Sequence, residues 1–115
     1  MKKLFKSFKY AFKGIAFTYR TQLNFRVHVA ISFLAILAGF YLQLNTSEWL
    51  WICLAIALVL VLELLNTAIE VLVDIFSPNF RPRAGIVKDV AAAAVLMAAV
   101  LAVLIGLFIF GPKVF

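Results

Sequence analysis

Residues 63–74 read Glu63-Leu64-Leu65-Asn66-Thr67-Ala68-Ile69-Glu70-Val71-Leu72-Val73-Asp74, inside an apolar run that extends from Trp49 to Phe76. Glu63, Asn66, Glu70 and Asp74 are spaced by three, four and four residues. At about 100° per residue that spacing keeps all four within about 80° of one another, so a helix here carries one polar stripe. The stripe is about 16 Å long at a rise of 1.5 Å per residue. The run exceeds the ~20 apolar residues needed to cross a bilayer. An acidic residue at the centre of such a span costs roughly 2.5–3.5 kcal/mol, against a gain of about 0.5 kcal/mol for a leucine. The surrounding leucines and valines offset that cost and let the span insert. They do not account for three carboxylates on one face. Like charges side by side require neutralisation, by protons, a basic partner or a divalent cation. Carboxylates with an amide form an all-oxygen donor set, which suits Mg²⁺ with its waters and phosphate oxygens.

Two further apolar runs flank this one, from about Val27 to Leu44 and from Val90 to Phe110, the latter without a charge. The whole chain of 115 residues is 66% hydrophobic and 14% charged, against about 45–50% and 25% for a soluble domain. These proportions exclude a water-soluble globule and a disordered chain. The expected fold is an all-α integral membrane protein of one domain, 1–115, with transmembrane helices over 27–44, 49–76 and 90–110. The single Cys53 excludes an internal disulfide framework and a multi-cysteine metal site.

Residues 2–24 differ from the spans. On a helical wheel Leu4, Phe5, Phe8, Ala11, Phe12, Ile15, Ala16 and Tyr19 share one face, and Lys2, Lys3, Lys6, Lys9, Lys13 and Arg20 share the other. A basic amphipathic helix lies in the plane of an anionic membrane surface. Lysines at 6, 9 and 13 interrupt any signal-peptide core. Tyr10 and Phe17 fall on the polar side, facing either a neighbouring chain or a ligand.

Seven basic residues precede the first span, and Arg81, Arg83 and Lys88 follow the second, while the far side holds Lys113 alone. The positive-inside rule therefore places the N-terminus and the second loop in the cytoplasm. Asn45 to Glu48 becomes an external turn with the spacing of a capping box, and Pro78 and Pro82 break the helix on the inner side. The polar stripe then opens to the cytoplasm and stops at Glu63. Trp49 to Leu62 and the third span offer no polar continuation, which excludes a conducting path. One buried acid alone could pair with Arg26, Lys88 or His28 across a helix interface. A lysine at 88 stands at the depth of Asp74 if the second and third spans are antiparallel neighbours, where it could meet phosphate as a point charge. No P-loop and no GxGxxG occurs, and a lone His28 supplies no Ser-His-Asp set.

The pattern Glu63-Leu-Leu-Asn66-Thr67-Ala68-Ile-Glu70-x-x-Val73-Asp74 resembles the signature of the small prokaryotic diacylglycerol kinase family, which also contains undecaprenol kinases. Tyr10-Ala-Phe12-Lys13-Gly14, Asn24-Phe25-Arg26 and Lys88-Asp89 before an alanine-rich helix extend the resemblance over most of the chain. It implies a homotrimer of three-span subunits in the bacterial inner membrane, with the site facing the cytoplasm. It implies transfer of the ATP γ-phosphoryl group to a membrane lipid hydroxyl, of diacylglycerol or undecaprenol. Carried over by position, Glu63 is the catalytic base, Asn66 and Asp74 complete the site, and Glu70 is a ligand for Mg²⁺ bound with ATP. Tyr10, Lys88 and Asp89 are nucleotide-binding positions, and the loop from Asn79 to Arg81 covers the nucleotide. One departure stands out: Gln22 occupies the place of a second metal-binding glutamate, and an amide oxygen is a poorer Mg²⁺ ligand than a carboxylate. His28 stands where some members have an acid. No nucleic acid is expected as a partner. The reading of another class is a non-enzymatic membrane protein, a small transport subunit or an assembly factor.

Overall fold

The computed structural model describes residues 1–79 and 81–115. Four helices follow in order: α1 (Lys2–Thr21), α2 (Leu23–Tyr41), α3 (Thr46–Phe76) and α4 (Pro82–Val114). Helices α2, α3 and α4 are each long and apolar enough to cross a membrane, as the three apolar runs require.

Helix α1 ends at Thr21, three residues before the expected boundary, and Gln22 is an extended joint with φ −117° and ψ 109°. The reason is a side chain from the next helix. Arg26 donates from one guanidinium nitrogen to the carbonyls of Tyr19 and Arg20, both at 3.1 Å. Those carbonyls lie in the last turn of α1, where no backbone N–H remains to meet them. Helix α2 accordingly begins at Leu23 rather than near Val27.

The turn between α2 and α3 also lies earlier than expected. Helix α2 stops at Tyr41, and Gln43 takes a left-handed φ of 56°. Asn45 then caps α3: its side chain accepts from the Glu48 backbone N–H at 2.9 Å, and the Glu48 carboxylate accepts from the Asn45 N–H at 3.0 Å. The capping box expected from the spacing is present. Behind it the Trp49 ring lies against Gly39, where an added Cβ would stand 2.6 Å from the ring. Glycine therefore lets the end of α2 meet the start of α3. Pro82 proves to be the first residue of α4, a position where its missing N–H costs nothing.

Helices α3 and α4 run antiparallel side by side. Glu48 pairs with Lys113 at 3.3 Å at one end, and Asp74 pairs with Lys88 at 2.6 Å at the other. The two pairs are separated by 26 residues of α3 and 25 of α4, so the helices stay in register along their length. The buried row of α3 is Ile52, Ala55, Val59, Glu63 and Thr67, and that of α4 is Ala91, Val95 and Ala98. Both rows repeat at three and four residues and, Glu63 apart, are built of small or branched side chains, which permit close approach. Of the alanine run at the start of the third span, Ala91 alone is buried. Helix α1 lies outside the bundle against α2 and α3, held by buried Thr18 and Phe25. Large apolar side chains such as Leu54, Leu65, Leu96, Met97 and Phe108 are exposed on the single chain.

Losing an N-cap costs about 0.5–2 kcal/mol. Asn45→Ala is expected to lower the thermal unfolding midpoint in detergent while leaving the helical circular dichroism unchanged; an unchanged midpoint would show that the box does not hold the turn.

Candidate functional site

The polar stripe crosses three environments. Glu63 is buried, 2% exposed, within the buried row of α3. Asn66 and Glu70 are half-buried and Asp74 is exposed. A hydrocarbon core of about 30 Å that begins at Trp49 takes about 20 residues of helix and ends near Ile69. By that measure Glu63 lies about 9 Å inside the apolar layer, Glu70 sits at its edge, and Asp74 stands about 8 Å beyond it. One helix face thus leads from water to a carboxylate in hydrocarbon.

Each member has a distinct set of contacts. The Glu63 carboxylate lies 3.3 Å from His28 Nε2 of α2. Its backbone carbonyl accepts from the Thr67 hydroxyl at 2.9 Å, which gives that buried hydroxyl a partner. Asn66 Nδ2 donates to Glu70 Oε1 at 3.2 Å. This bond turns the amide so that Asn66 Oδ1 is buried with no hydrogen-bond partner. An orphaned amide oxygen costs roughly 1–3 kcal/mol. Beside it stands a carboxylate engaged by a single side-chain hydrogen bond. These two oxygen donors fit a hard cation such as Mg²⁺. Among the described residues no three His, Cys, Asp or Glu side chains converge on one point. Any metal here would therefore complete its coordination with phosphate oxygens and water.

The inner end is a second polar region. Asp74, Asn79, Arg81, Lys88 and Asp89 line one cavity of about 310 Å³, with Ser77, Pro78 and Gly85. The Ser77 hydroxyl donates to the Asn79 carbonyl at 3.2 Å, and Gly85 N–H donates to the Arg81 carbonyl at 3.0 Å. Two cations and two carboxylates thus face one volume. The Asp74–Lys88 pair is well exposed, and such a pair contributes only about 0–1 kcal/mol. The antiparallel packing of α3 and α4 places Lys88 at the depth of Asp74, as the sequence suggested. Within the loop from 79 to 81, Phe80 lies outside the described residues.

Five of the expected nucleotide-site residues are therefore together, and the three deeper members share the face above them. Tyr10 and Gln22 stand apart. Tyr10 is exposed on α1, with Lys13 Nζ 5.7 Å from its ring centre. Gln22 forms the joint between α1 and α2. Among the described residues neither side chain makes a hydrogen bond to the stripe. Thr67 and His28 are members that the stripe alone did not reveal. Thr67 lies four residues from Glu63, the spacing at which a hydroxyl returns to the helix carbonyl. His28 was one of three possible partners for a buried acid.

Residues 9–110 match the sequence profile of the family described as prokaryotic diacylglycerol kinase. The chain is 44% identical over 113 residues to an undecaprenol kinase of Bacillus subtilis, covering 98% of this chain and 92% of that protein. It is 41% identical over 104 residues to a diacylglycerol kinase of Synechocystis, covering 90% of this chain and 59% of that longer protein. A diacylglycerol kinase of Escherichia coli is 28% identical over 102 residues, covering 89% of this chain and 84% of its own. With its three long apolar helices, its surface-type first helix and its acidic stripe, this chain belongs to the prokaryotic diacylglycerol kinase family.

Proposed function

We propose that this protein transfers the γ-phosphoryl group of ATP to the hydroxyl of a membrane lipid. The observation that carries the reading is the continuity of one α3 face. It joins the buried Glu63 carboxylate, through Asn66 and Glu70, to the polar cavity at Asp74 and Lys88. A phosphoryl donor is water-soluble and a lipid alcohol is not, so their meeting place must span that boundary.

Phosphoryl transfer needs positioning, charge neutralisation and a base for the acceptor hydroxyl. Lys88 and Arg81 are placed to hold the triphosphate, and breaking the exposed Asp74–Lys88 pair to do so costs little. Glu70 and the Asn66 amide oxygen are the residues that would hold Mg²⁺, with Gln22 as a further oxygen donor. When bound, that ion would neutralise phosphate charge and orient the γ-phosphoryl group. Glu63, nearest the hydrocarbon, takes the proton of the lipid hydroxyl. An apolar cleft of about 620 Å³ between α1 and α3, lined by Ala11, Ile15, Thr18, Leu64, Ala68 and Leu72, gives a hydrocarbon chain room beside the stripe. Tyr10 and Asp89 are assigned to the nucleotide, as is the loop from Asn79 to Arg81.

The setting follows from charge. Ten basic residues flank the Asp74 end and one the opposite end, which supports a cytoplasmic N-terminus and site in the bacterial inner membrane. A basic inner surface concentrates ATP and anionic lipid. The exposed apolar flanks of α2, α3 and α4 suit a homotrimer surrounded by lipid.

Purified protein in mixed micelles with labelled Mg-ATP is expected to phosphorylate diacylglycerol or undecaprenol, and a panel of lipid alcohols identifies the acceptor. Inactivity on every lipid alcohol, with assembly intact, would instead favour a transport subunit or assembly factor. Glu63→Gln is expected to lower kcat by about 10²–10⁴-fold, the range for a general base, without changing the oligomer. A near-normal rate would remove Glu63 from that role. Lys88→Met is expected to raise the KM for ATP about tenfold or more, since hydrogen bonds to charged groups contribute about 1.5–3 kcal/mol; a change in the lipid KM alone would place Lys88 elsewhere. Gln22→Glu is expected to lower the Mg²⁺ concentration giving half-maximal rate, and an unchanged value would show that this side chain does not face the metal.

A further inference from the structure

Glu63 is the most deeply set carboxylate of the stripe, yet it has a side-chain partner that lies outside it. His28 Nε2 approaches Glu63 Oε1 to 3.3 Å from the neighbouring helix, with the His28 side chain 22% exposed and the Glu63 side chain 3%. Arg26 is turned away, engaged with the carbonyls of Tyr19 and Arg20. Lys88 is engaged with Asp74. Of the three basic partners open to a buried acid in this chain, the fold has assigned one.

The surroundings of the ring are apolar on most sides. His28 sits one helical turn before Ser32, whose hydroxyl donates to the His28 carbonyl at 2.7 Å. Its side chain lines a cavity of about 430 Å³ with apolar walls, including Ile31, Ala35, Ile56, Val59 and Ala99. The one hydroxyl in those walls, of Ser32, is engaged with the His28 carbonyl, which leaves the Glu63 carboxylate as the polar group facing Nε2. A separation of 3.3 Å is long for a hydrogen bond, and such contacts often tighten when the reacting complex forms.

We propose that His28 is a positioning residue for Glu63. It holds one carboxylate oxygen and thereby aims the other at the lipid hydroxyl. This inference rests on the lipid kinase reading. In the step it serves, the hydroxyl proton passes to the free Glu63 oxygen. The lipid oxygen forms a bond to Pγ, and the bond from Pγ to the bridging oxygen breaks, its electron pair leaving with ADP. His28 touches neither substrate. It acts as the partners of metal-ligating and catalytic side chains act elsewhere, by fixing the orientation of a group that would otherwise rotate.

A neutral N–H at the Nε2 position is sufficient for this role, which separates it from a requirement for charge. His28→Ala is expected to lower kcat about 10–100-fold, the range seen when a supporting partner is removed. The KM values for ATP and lipid should stay within about twofold, because no ground-state contact is lost. His28→Gln, which keeps an N–H near the same place, is expected to restore most of the rate. A wild-type kcat in His28→Ala, or equal losses in the two variants, would overturn the proposal. Absence of turnover by the wild-type protein would overturn the kinase reading itself.

A second measurement does not depend on turnover or on the folding of the His28 variants. The chain has one histidine, so ¹⁵N-histidine labelling of protein carrying a histidine-free tag gives one pair of ring-nitrogen signals. Glu63→Gln is expected to move those signals, and Glu48→Gln, at the opposite end of α3, is expected to leave them in place. Ring signals indifferent to Glu63→Gln would overturn the contact and the role built on it.

Discussion

A carboxyl group inside hydrocarbon has lost water and must find something to replace it. Glu63 is in that position, and much of the surrounding structure can be understood as the arrangement that makes it tolerable. Its helix is long, with many leucines and valines to offset one acidic group. Its side chain is 3% exposed, so the carboxylate faces protein rather than acyl chains. A histidine from α2 approaches it. The remaining polar groups lie on the water side of it, with Asn66 and Glu70 half-buried and Asp74 exposed. Neutralisation is thus graded along one helix, from a buried contact to an exposed ion pair.

That gradient is also what lipid phosphorylation demands. The donor carries several charges and cannot leave water, while the acceptor hydroxyl is tethered to a chain that cannot leave the bilayer. A site on the membrane surface would have to lift the lipid, and a site at the midplane would have to bury the nucleotide. A face that starts at the polar cavity and ends about 9 Å inside the apolar layer avoids both costs. On the proposed reading, the orphaned Asn66 oxygen and the lightly engaged Glu70 carboxylate are where the two substrates meet. Polar atoms left unsatisfied in an otherwise well-paired structure are commonly the ones a ligand completes.

The stripe and the three spans were legible from residue numbers because helical period and bilayer thickness are fixed quantities. The capping box at Asn45 and Glu48 was legible for the same reason, being a local pattern with one geometry. The helix ends were not. Gln22 carries no breaking tendency, and the joint there depends on Arg26 reaching back to Tyr19 and Arg20. Gln43 adopts a left-handed backbone that glycine or asparagine would have signalled. The partner of Glu63 was narrowed to three residues but not chosen, because the choice depends on how α2 crosses α3. Tyr10 and Gln22 were assigned through family resemblance, and the single chain leaves both outside the hydrogen-bonded stripe.

The central claim is that magnesium nucleotide docks against the inner part of α3 and nowhere else on it. The chain has three glutamates, all on that helix: Glu48 at one end, Glu63 and Glu70 toward the other. Carboxyl-¹³C-glutamate labelling therefore places reporters along its length, with Glu48 about 22 Å from Glu63. Adding Mn²⁺ with a non-hydrolysable ATP analogue to the labelled protein in bilayers should broaden Glu70 most, Glu63 next, and spare Glu48. Three signals left sharp, or Glu48 broadened as strongly as Glu70, would contradict the account.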